Sequence, residues 1–358
     1  MYMDKTKSSR SILFTGAAGF IGSNTLRYFF DTYPHYTFIV LDALTYSGDM
    51  KNIPDYIHKA PNFQFVYGDV RNQKVVDHLV SQVDTVIHLA AETHVARSIH
   101  NDTVFFETDV IGTHRVASAV ANNKKKIKRF VHISTSEVYG TALSKKMNED
   151  HPLNPQSPYA AAKAGADRLV YSYMLTHKIP VVIIRPFNMY GPNQHLEKLI
   201  PRFITSSLLH EPLTIHGTGT SSRDFTYVED LVRAIDLIVH APAAKVEGEV
   251  FNVGSGVHRS VNEIASLVTN MMHGNSGKKK IKYTAYALNI GDRPGQVFRH
   301  TADTRKITRV LGWKPRVSFA DGLARTAEWY TQNRDWWKDK MWMRQVPIET
   351  EDNKIEMH

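Results

Sequence analysis

The segment Gly16-Ala17-Ala18-Gly19-Phe20-Ile21-Gly22 constrains the fold of this chain more than any other stretch. It lies between an apolar run, Ile12-Leu13-Phe14, and a stretch with helical periodicity. Glycines at this spacing allow a tight strand-to-helix turn and a close backbone approach to a bound group. The helix that follows presents uncommitted amides and a favourable dipole to an anion. Further apolar runs are Phe38-Ile39-Val40-Leu41, Phe63-Gln64-Phe65-Val66, Val86-Ile87-His88-Leu89, Phe130-Val131-His132-Ile133 and Val181-Val182-Ile183-Ile184. Helical stretches such as 104–120 separate them. This alternation predicts an α/β fold, a Rossmann-type doubly wound parallel sheet.

After Pro192 the pattern loosens. Helices are expected at 199–209, 228–239, 261–272 and 319–330, and short strands at 213–216, 250–253 and 281–283. Together they predict a smaller C-terminal α+β substrate lobe. Loops are expected at 144–156, 217–222 and 274–280. The end of the chain is charged and reads as a mobile tail.

At 358 residues the chain can bury a large core. No window approaches 18 uninterrupted apolar residues, so no membrane span is expected. Met1 to Arg10 is polar and charged, so no secretory signal is expected. The chain has no cysteine, which excludes disulfide and thiolate chemistry and fits a cytoplasmic protein. The net charge is +9. The basic runs Lys124-Lys125-Lys126 and Lys278-Lys279-Lys280 sit in loop-like contexts without interleaved aromatics, so no nucleic acid partner is expected. A basic surface also attracts small anions. The 18 histidines show no metal-ligand spacing, so no metal is expected.

The candidate cofactor residues follow from the sheet. Gly16, Gly19, Phe20, Ile21 and Gly22 would carry a pyrophosphate. Asp42, at the end of the second strand, suits a ribose diol and disfavours a 2′-phosphate, which selects NAD over NADP. Asp69 and Val70 end the third strand, where a carboxylate can meet an adenine amino group. Leu89, Ala90 and Ala91 end the fourth, where small residues admit the cofactor. His88 reads as a structural histidine.

The candidate chemistry lies in Ser157-Pro158-Tyr159-Ala160-Ala161-Ala162-Lys163 and in the triplet Thr135-Ser136-Glu137. A tyrosine with a pKa of about 10 is a poor base at neutral pH. Lys163, one helical turn on, shares its helix face, lowers the cost of a phenolate and can hold the nicotinamide ribose. Thr135 can hydrogen-bond the same substrate hydroxyl. The set suits oxidation of a secondary alcohol. Glu137 adds an acid/base group; in a continuing strand Thr135 and Glu137 would share a side and Ser136 would face away.

These motifs resemble the extended short-chain dehydrogenase/reductase family, and most closely its dTDP-glucose 4,6-dehydratase branch. The resemblance covers about residues 11–332. It includes His94-Val95-Ala96-Arg97-Ser98-Ile99, Asn188-Met189-Tyr190-Gly191-Pro192, Glu197-Lys198-Leu199-Ile200-Pro201, Arg223-Asp224-Phe225-Thr226-Tyr227 and Asp292-Arg293-Pro294-Gly295. It implies a nucleotide-sugar substrate and an internal redox cycle. Tyr159 and NAD oxidise C4, Glu137 deprotonates C5 as water leaves C6, and the hydride returns to C6. Catalytic candidates are then Thr135, Ser136, Glu137, Tyr159 and Lys163. Substrate candidates are Thr93, Asn188, Lys198, Leu199, Arg223 and Arg293, with Arg299 as a further one. The implied division is residues 1–192 as the NAD-binding domain with Tyr159 and Lys163, 193–345 mainly as the substrate lobe with the chain crossing between lobes, and 346–358 as the tail. The resemblance also implies a homodimer through a four-helix bundle built on 104–121 and 159–176.

Three positions depart from the dTDP-glucose pattern. Ser136 stands where those enzymes carry the Asp that protonates the leaving hydroxyl, Ala96 replaces an Asp, and Asp109 replaces an Asn. Thr-Ser-Glu is also the triplet of GDP-mannose 4,6-dehydratases and of UDP-glucuronate decarboxylases. The alternatives are therefore a UDP-glucuronate decarboxylase, a nucleotide-sugar 4-epimerase, and an NAD-binding regulatory homologue without turnover. Other stretches resemble dehydratases of UDP-N-acetylglucosamine. The hexose and the nucleotide base stay open.

Overall fold

The computed structural model describes residues 9–274, 281–292, 294–344, 347–349 and 354–357. Its strands are β1 (Ser11–Thr15), β2 (Thr37–Asp42), β3 (Phe63–Tyr67), β4 (Thr85–His88), β5 (Arg129–Ile133), β6 (Val181–Pro186), β7 (Asn188–Tyr190), β8 (Leu213–His216), β9 (Ser222–Tyr227), β10 (Val250–Val253), β11 (His258–Ser260), β12 (Ala287–Ile290), β13 (Pro347–Glu349) and β14 (Ile355–Met357). Seven of them form one parallel sheet in the order β10-β6-β5-β4-β1-β2-β3. Strands β1, β2 and β3 build outward on one side, and β4 returns to the other side of β1. This reversal opens a crevice at the strand ends beside β1 and β4, the usual ligand position in such sheets. The expected Rossmann-type sheet is the one observed.

Helices cover both faces because the central strands carry apolar residues on both. On one face Phe20–Thr32 and Val228–His240 pack together, burying Leu26, Phe29, Leu231 and Ile235 against Phe14, Phe38 and Val131. On the other, Gln73–Val80, Thr113–Asn122 and Pro158–His177 bury Val76, Val116 and Val170 against Leu13, Val86 and Phe130. A further cluster joins Ile200, Phe203, Phe225, Ile264, Leu323 and Trp337, built from helices and short strands after residue 190.

The structure corrects four local expectations. Strand β10 lies in the main sheet beside β6 rather than with the short strands of the C-terminal part. Residues Tyr283–Ala285 form a helical turn, and the strand falls later, at β12, paired with β8. The helix over 104–120 is interrupted by a wider, π-type stretch at Phe106–Gly112. The tail contains an antiparallel pair, β13 with β14. Of the loop expected at 274–280, residues 275–280, with Lys278, Lys279 and Lys280, lie outside the described residues. Lys124, Lys125 and Lys126 sit exposed in a turn. No helix among the described residues is long and apolar enough to cross a membrane.

Candidate active site

The crevice is a cavity of about 470 Å³. Its floor is the glycine turn. Gly16 has φ +76°, a conformation that favours glycine. A Cβ there would sit 2.6 Å from the Ala90 backbone nitrogen, so any side chain would separate β1 from β4. A Cβ on Gly22 would strike the Gly16 carbonyl. Gly19 starts the helix Phe20–Thr32, and no side chain among the described residues caps it. Gly19, Phe20, Ile21 and Gly22 line the cavity, so the helix start faces it. Such a start fits the pyrophosphate of a dinucleotide.

Asp42, Asp69, Val70, Leu89, Ala90 and Ala91 line the same cavity. The Asp42 carboxylate accepts the N–H groups of Ala18 and Leu44, both at 2.8 Å. Burial pushes its pKa up, against these two bonds. Asp69 is engaged by Arg71, whose Nε and Nη2 lie 3.0 and 2.8 Å from Oδ2. Burial raises its pKa, but the Arg71 contacts outweigh this and hold it below the usual range. His88 is buried away from the cavity, bonded to Thr15 Oγ1 at 2.7 Å and Thr113 Oγ1 at 3.0 Å, in keeping with its structural reading.

Tyr159 and Lys163 project from Pro158–His177. Ser157 accepts the Ala160 N–H at 3.2 Å and Pro158 occupies the first turn, so the helix starts just before the tyrosine. The Tyr159 N–H donates to Ser98 Oγ at 3.1 Å. Thr135 hydrogen-bonds the Tyr159 phenol and pulls its pKa down, but burial, then Asp109, push it well above the ordinary value. The Lys163 ammonium donates to the Ile133 carbonyl at 2.8 Å. Burial lowers its pKa, and Asp109 and Asp167 draw it back up. Asp109 is itself buried, with its carboxyl pushed up to about 7.

At the end of β5 the chain turns through Ser136–Tyr139. Thr135 and Glu137 line the cavity; Ser136 does not. Of the three candidates in the triplet, Ser136 is thus the one set back from the cavity. Its side chain is buried, and Oγ lies 3.3 Å from Nδ1 of His300. Glu137 Oε1 lies 4.0 Å from Arg223 Nε and 3.8 Å from His300 Nδ1.

Thr93, Asn188, Lys198, Leu199 and Arg223 all line the far part of the cavity. Lys198 Nζ donates to the Thr93 carbonyl at 2.8 Å and pairs with Glu197 at 3.1 Å. Asn188 Oδ1 and Ser134 Oγ are buried without a partner among the described residues, and both residues line the cavity. Arg293 lies outside the described residues. Arg299 does not line the cavity; it donates to the Ser144 carbonyl at 2.7 Å.

Sequence reasoning missed a buried polar group in the cavity wall. Glu197 bonds Tyr46 Oη at 3.2 Å and pairs with His94 at 3.3 Å and His195 at 3.5 Å. Burial works against the Glu197 carboxylate, yet Lys198, His94 and His195 hold its pKa far below the usual range. Arg97 stacks on Tyr46 at 4.4 Å. Both His94 and Glu197 stand inside stretches already singled out, so their neighbours were the available signal. Gln296 and Arg259 also line the cavity, and nothing in the sequence singled them out.

The family model described as GDP-mannose 4,6 dehydratase matches residues 13–326. The chain belongs to this family. It is 40% identical to the dTDP-glucose 4,6-dehydratase of Streptomyces niveus over 91% of this chain and 94% of that one. It is 38% identical to a trifunctional UDP-glucose 4,6-dehydratase/UDP-4-keto-6-deoxy-D-glucose 3,5-epimerase/UDP-4-keto-L-rhamnose-reductase of Arabidopsis thaliana. That match covers 94% of this chain but only 49% of the relative, so the chain spans about half its length. The crystal structure of DesIV, a dTDP-glucose 4,6-dehydratase from Streptomyces venezuelae with NAD and TYD bound, superposes with a TM-score of 0.85 and 38% identity, covering 92% of this chain and 99% of that one. The resemblance to nucleotide-sugar 4,6-dehydratases read from the motifs is thereby borne out.

Proposed function

We propose that this protein is an NAD-dependent nucleotide-hexose 4,6-dehydratase. The observation that carries the reading is Glu137: it opens into the same cavity as Thr135, Tyr159, Lys163 and the glycine turn. An alcohol oxidation alone has no use for that carboxylate. Dehydration needs a base at C5 once C4 is a ketone.

Gly16, Gly19, Phe20, Ile21, Gly22, Asp42, Asp69, Val70, Leu89, Ala90 and Ala91 line the part of the cavity that would hold NAD, which would supply hydride acceptance from C4 and hydride return to C6. Tyr159 takes the C4 hydroxyl proton, with Thr135 orienting that hydroxyl. Lys163 supplies positive charge beneath the phenolate and holds the nicotinamide ribose. Glu137 lifts the C5 proton and delivers a proton to the departing C6 oxygen. The serine next to it does not line the cavity, so in this reading Glu137 carries both transfers. Thr93, Asn188, Lys198, Leu199, Arg223 and Arg293 hold the nucleoside diphosphate and sugar. The product is an NDP-4-keto-6-deoxyhexose.

The relatives named for dTDP-glucose and UDP-glucose support a substrate of the dTDP-glucose or UDP-glucose type; UDP-N-acetylglucosamine stays in the reading on the motif resemblance alone. The same reading includes a cytoplasmic homodimer joined through a four-helix bundle, an NAD-binding part at 1–192 and a sugar-nucleotide part mainly at 193–345.

A sugar panel tests it. Purified protein is incubated with dTDP-glucose, UDP-glucose, GDP-mannose, UDP-N-acetylglucosamine and UDP-glucuronate, and products are read by NMR and mass. Loss of water with a 4-keto signal is expected. Loss of carbon dioxide from the glucuronate alone, or inversion at C4 without loss of water, overturns the reading.

A further inference from the structure

His300 is fully buried behind Glu137, on the side away from the cavity. The backbone fixes it there: its N–H donates to the Ser222 carbonyl at 3.1 Å, and Arg299 bridges to Ser222. Nε2 lies 2.7 Å from the Gly140 carbonyl. A carbonyl only accepts, so Nε2 carries the hydrogen and Nδ1 presents its lone pair. That lone pair faces two groups of one turn, Ser136 Oγ at 3.3 Å and Glu137 Oε1 at 3.8 Å. At 3.8 Å the lone pair and the carboxylate oxygen share no proton at rest, but a small shift of either side chain brings them within hydrogen-bond reach once Glu137 takes up a proton.

We propose that His300 is a positioning residue for Glu137: its Nδ1 shares the proton that Glu137 lifts from C5 and returns it, through Glu137, to the departing C6 oxygen, while Ser136 holds the ring in register. The inference rests on the dehydratase reading above. In the elimination the C5–H bond breaks and its electron pair forms the C5=C6 bond. The C6–O pair leaves with the oxygen, and the shared proton makes that oxygen water. Glu137 ends as a carboxylate and Nδ1 as a lone pair, with nothing oxidised or reduced in this step. The arrangement gives Ser136 a task. It donates to Nδ1 while Glu137 is ionised and releases the lone pair when the proton arrives.

The titratable and charged groups facing His300 are Glu137, Arg223 and His151. Burial lowers the pKa of the ring, against the pull of Glu137. The ring is therefore neutral near pH 7 and able to accept.

The test uses His300→Gln and Ser136→Ala in the full-length protein, with the sugar that wild type dehydrates best. The glutamine amide can still donate to the Gly140 carbonyl but offers no basic nitrogen. Bound NADH absorbance reports C4 oxidation, and rapid quench with mass analysis reports loss of water. H300Q is expected to form NADH normally while elimination slows by about tenfold or more. The acid limb of its elimination profile should fall with one proton where wild type falls with two. S136A removes a donor to the lone pair of the neutral ring, so its acid limb should move to higher pH. Equal slowing of oxidation and elimination in H300Q would mark a merely structural role and overturn the proposal. So would an unmoved acid limb in S136A, which decides the matter if H300Q does not fold. Wild type that dehydrates no sugar overturns this proposal together with the proposed function; wild type that dehydrates beside an H300Q of equal rate and profile overturns this proposal alone.

Discussion

His132, in β5, lies beside His88 with tilted rings and centroids 5.6 Å apart, and neither of its nitrogens has a hydrogen-bond partner among the described residues. Burial, then Lys163, keep its pKa well below the usual imidazole value. The unfolded chain takes up a proton below about pH 6.5 that the folded chain refuses. This stability is present above pH 6.5 and is lost as pH falls. His132→Leu should remove that sensitivity. The variant's advantage over wild type should grow by about 1.4 kcal/mol per pH unit below pH 6.5, read from chemical denaturation at several pH values. A constant difference would contradict it. At this scale the sequence was legible wherever spacing alone sets contact. Tyr159 and Lys163 share a helix face, and the glycines share a turn. Ser136 was not, because its direction depends on whether the strand continues or turns at Thr135. His300 was not, because 164 residues separate it from Ser136.

The helix Pro158–His177 holds Tyr159 and Lys163 over the sheet, and a buried ion pair fixes it. Asp167 accepts Arg185 Nε and Nη2, each at 2.9 Å, and Arg185 Nη1 donates to Tyr139 Oη at the same distance. The pair therefore ties the catalytic helix to β6 and to the turn that carries Glu137. Burial opposes the Asp167 carboxylate, but the Arg185 bonds hold its pKa far below the ordinary value. This contribution is full above about pH 3.9 and is lost as pH falls. Asp167→Asn leaves a buried guanidinium without its counter-charge, so a loss of about 3–5 kcal/mol is expected in chemical denaturation. A loss below about 1 kcal/mol would mean that the pair adds little. Elements with strong local patterns were legible in the sequence itself. The partner of an element was not always so: Val250–Val253 reads as a strand, yet nothing local says that it pairs with β6. The charged tail hid a strand pair for the same reason.

Across the whole molecule the sheet reversal, the glycine turn and the β5 turn converge on one cavity, and the proposed dimer would place the same helices at an interface. Phe106 is 40% exposed, Ile111 45% and Leu175 50%, apolar surface on these helices that a second copy would cover. Wild type should sediment as a dimer and Ile111→Asp should shift it toward monomer. A wild type that sediments as a monomer would contradict the bundle. The central claim is that C4 oxidation serves to activate C5, and that Glu137 performs the second act. Glu137→Gln keeps the shape of the side chain and removes its base. Mixed with the sugar that wild type dehydrates, it should build bound NADH absorbance with no release of water. Dehydration at the wild-type rate would contradict the account.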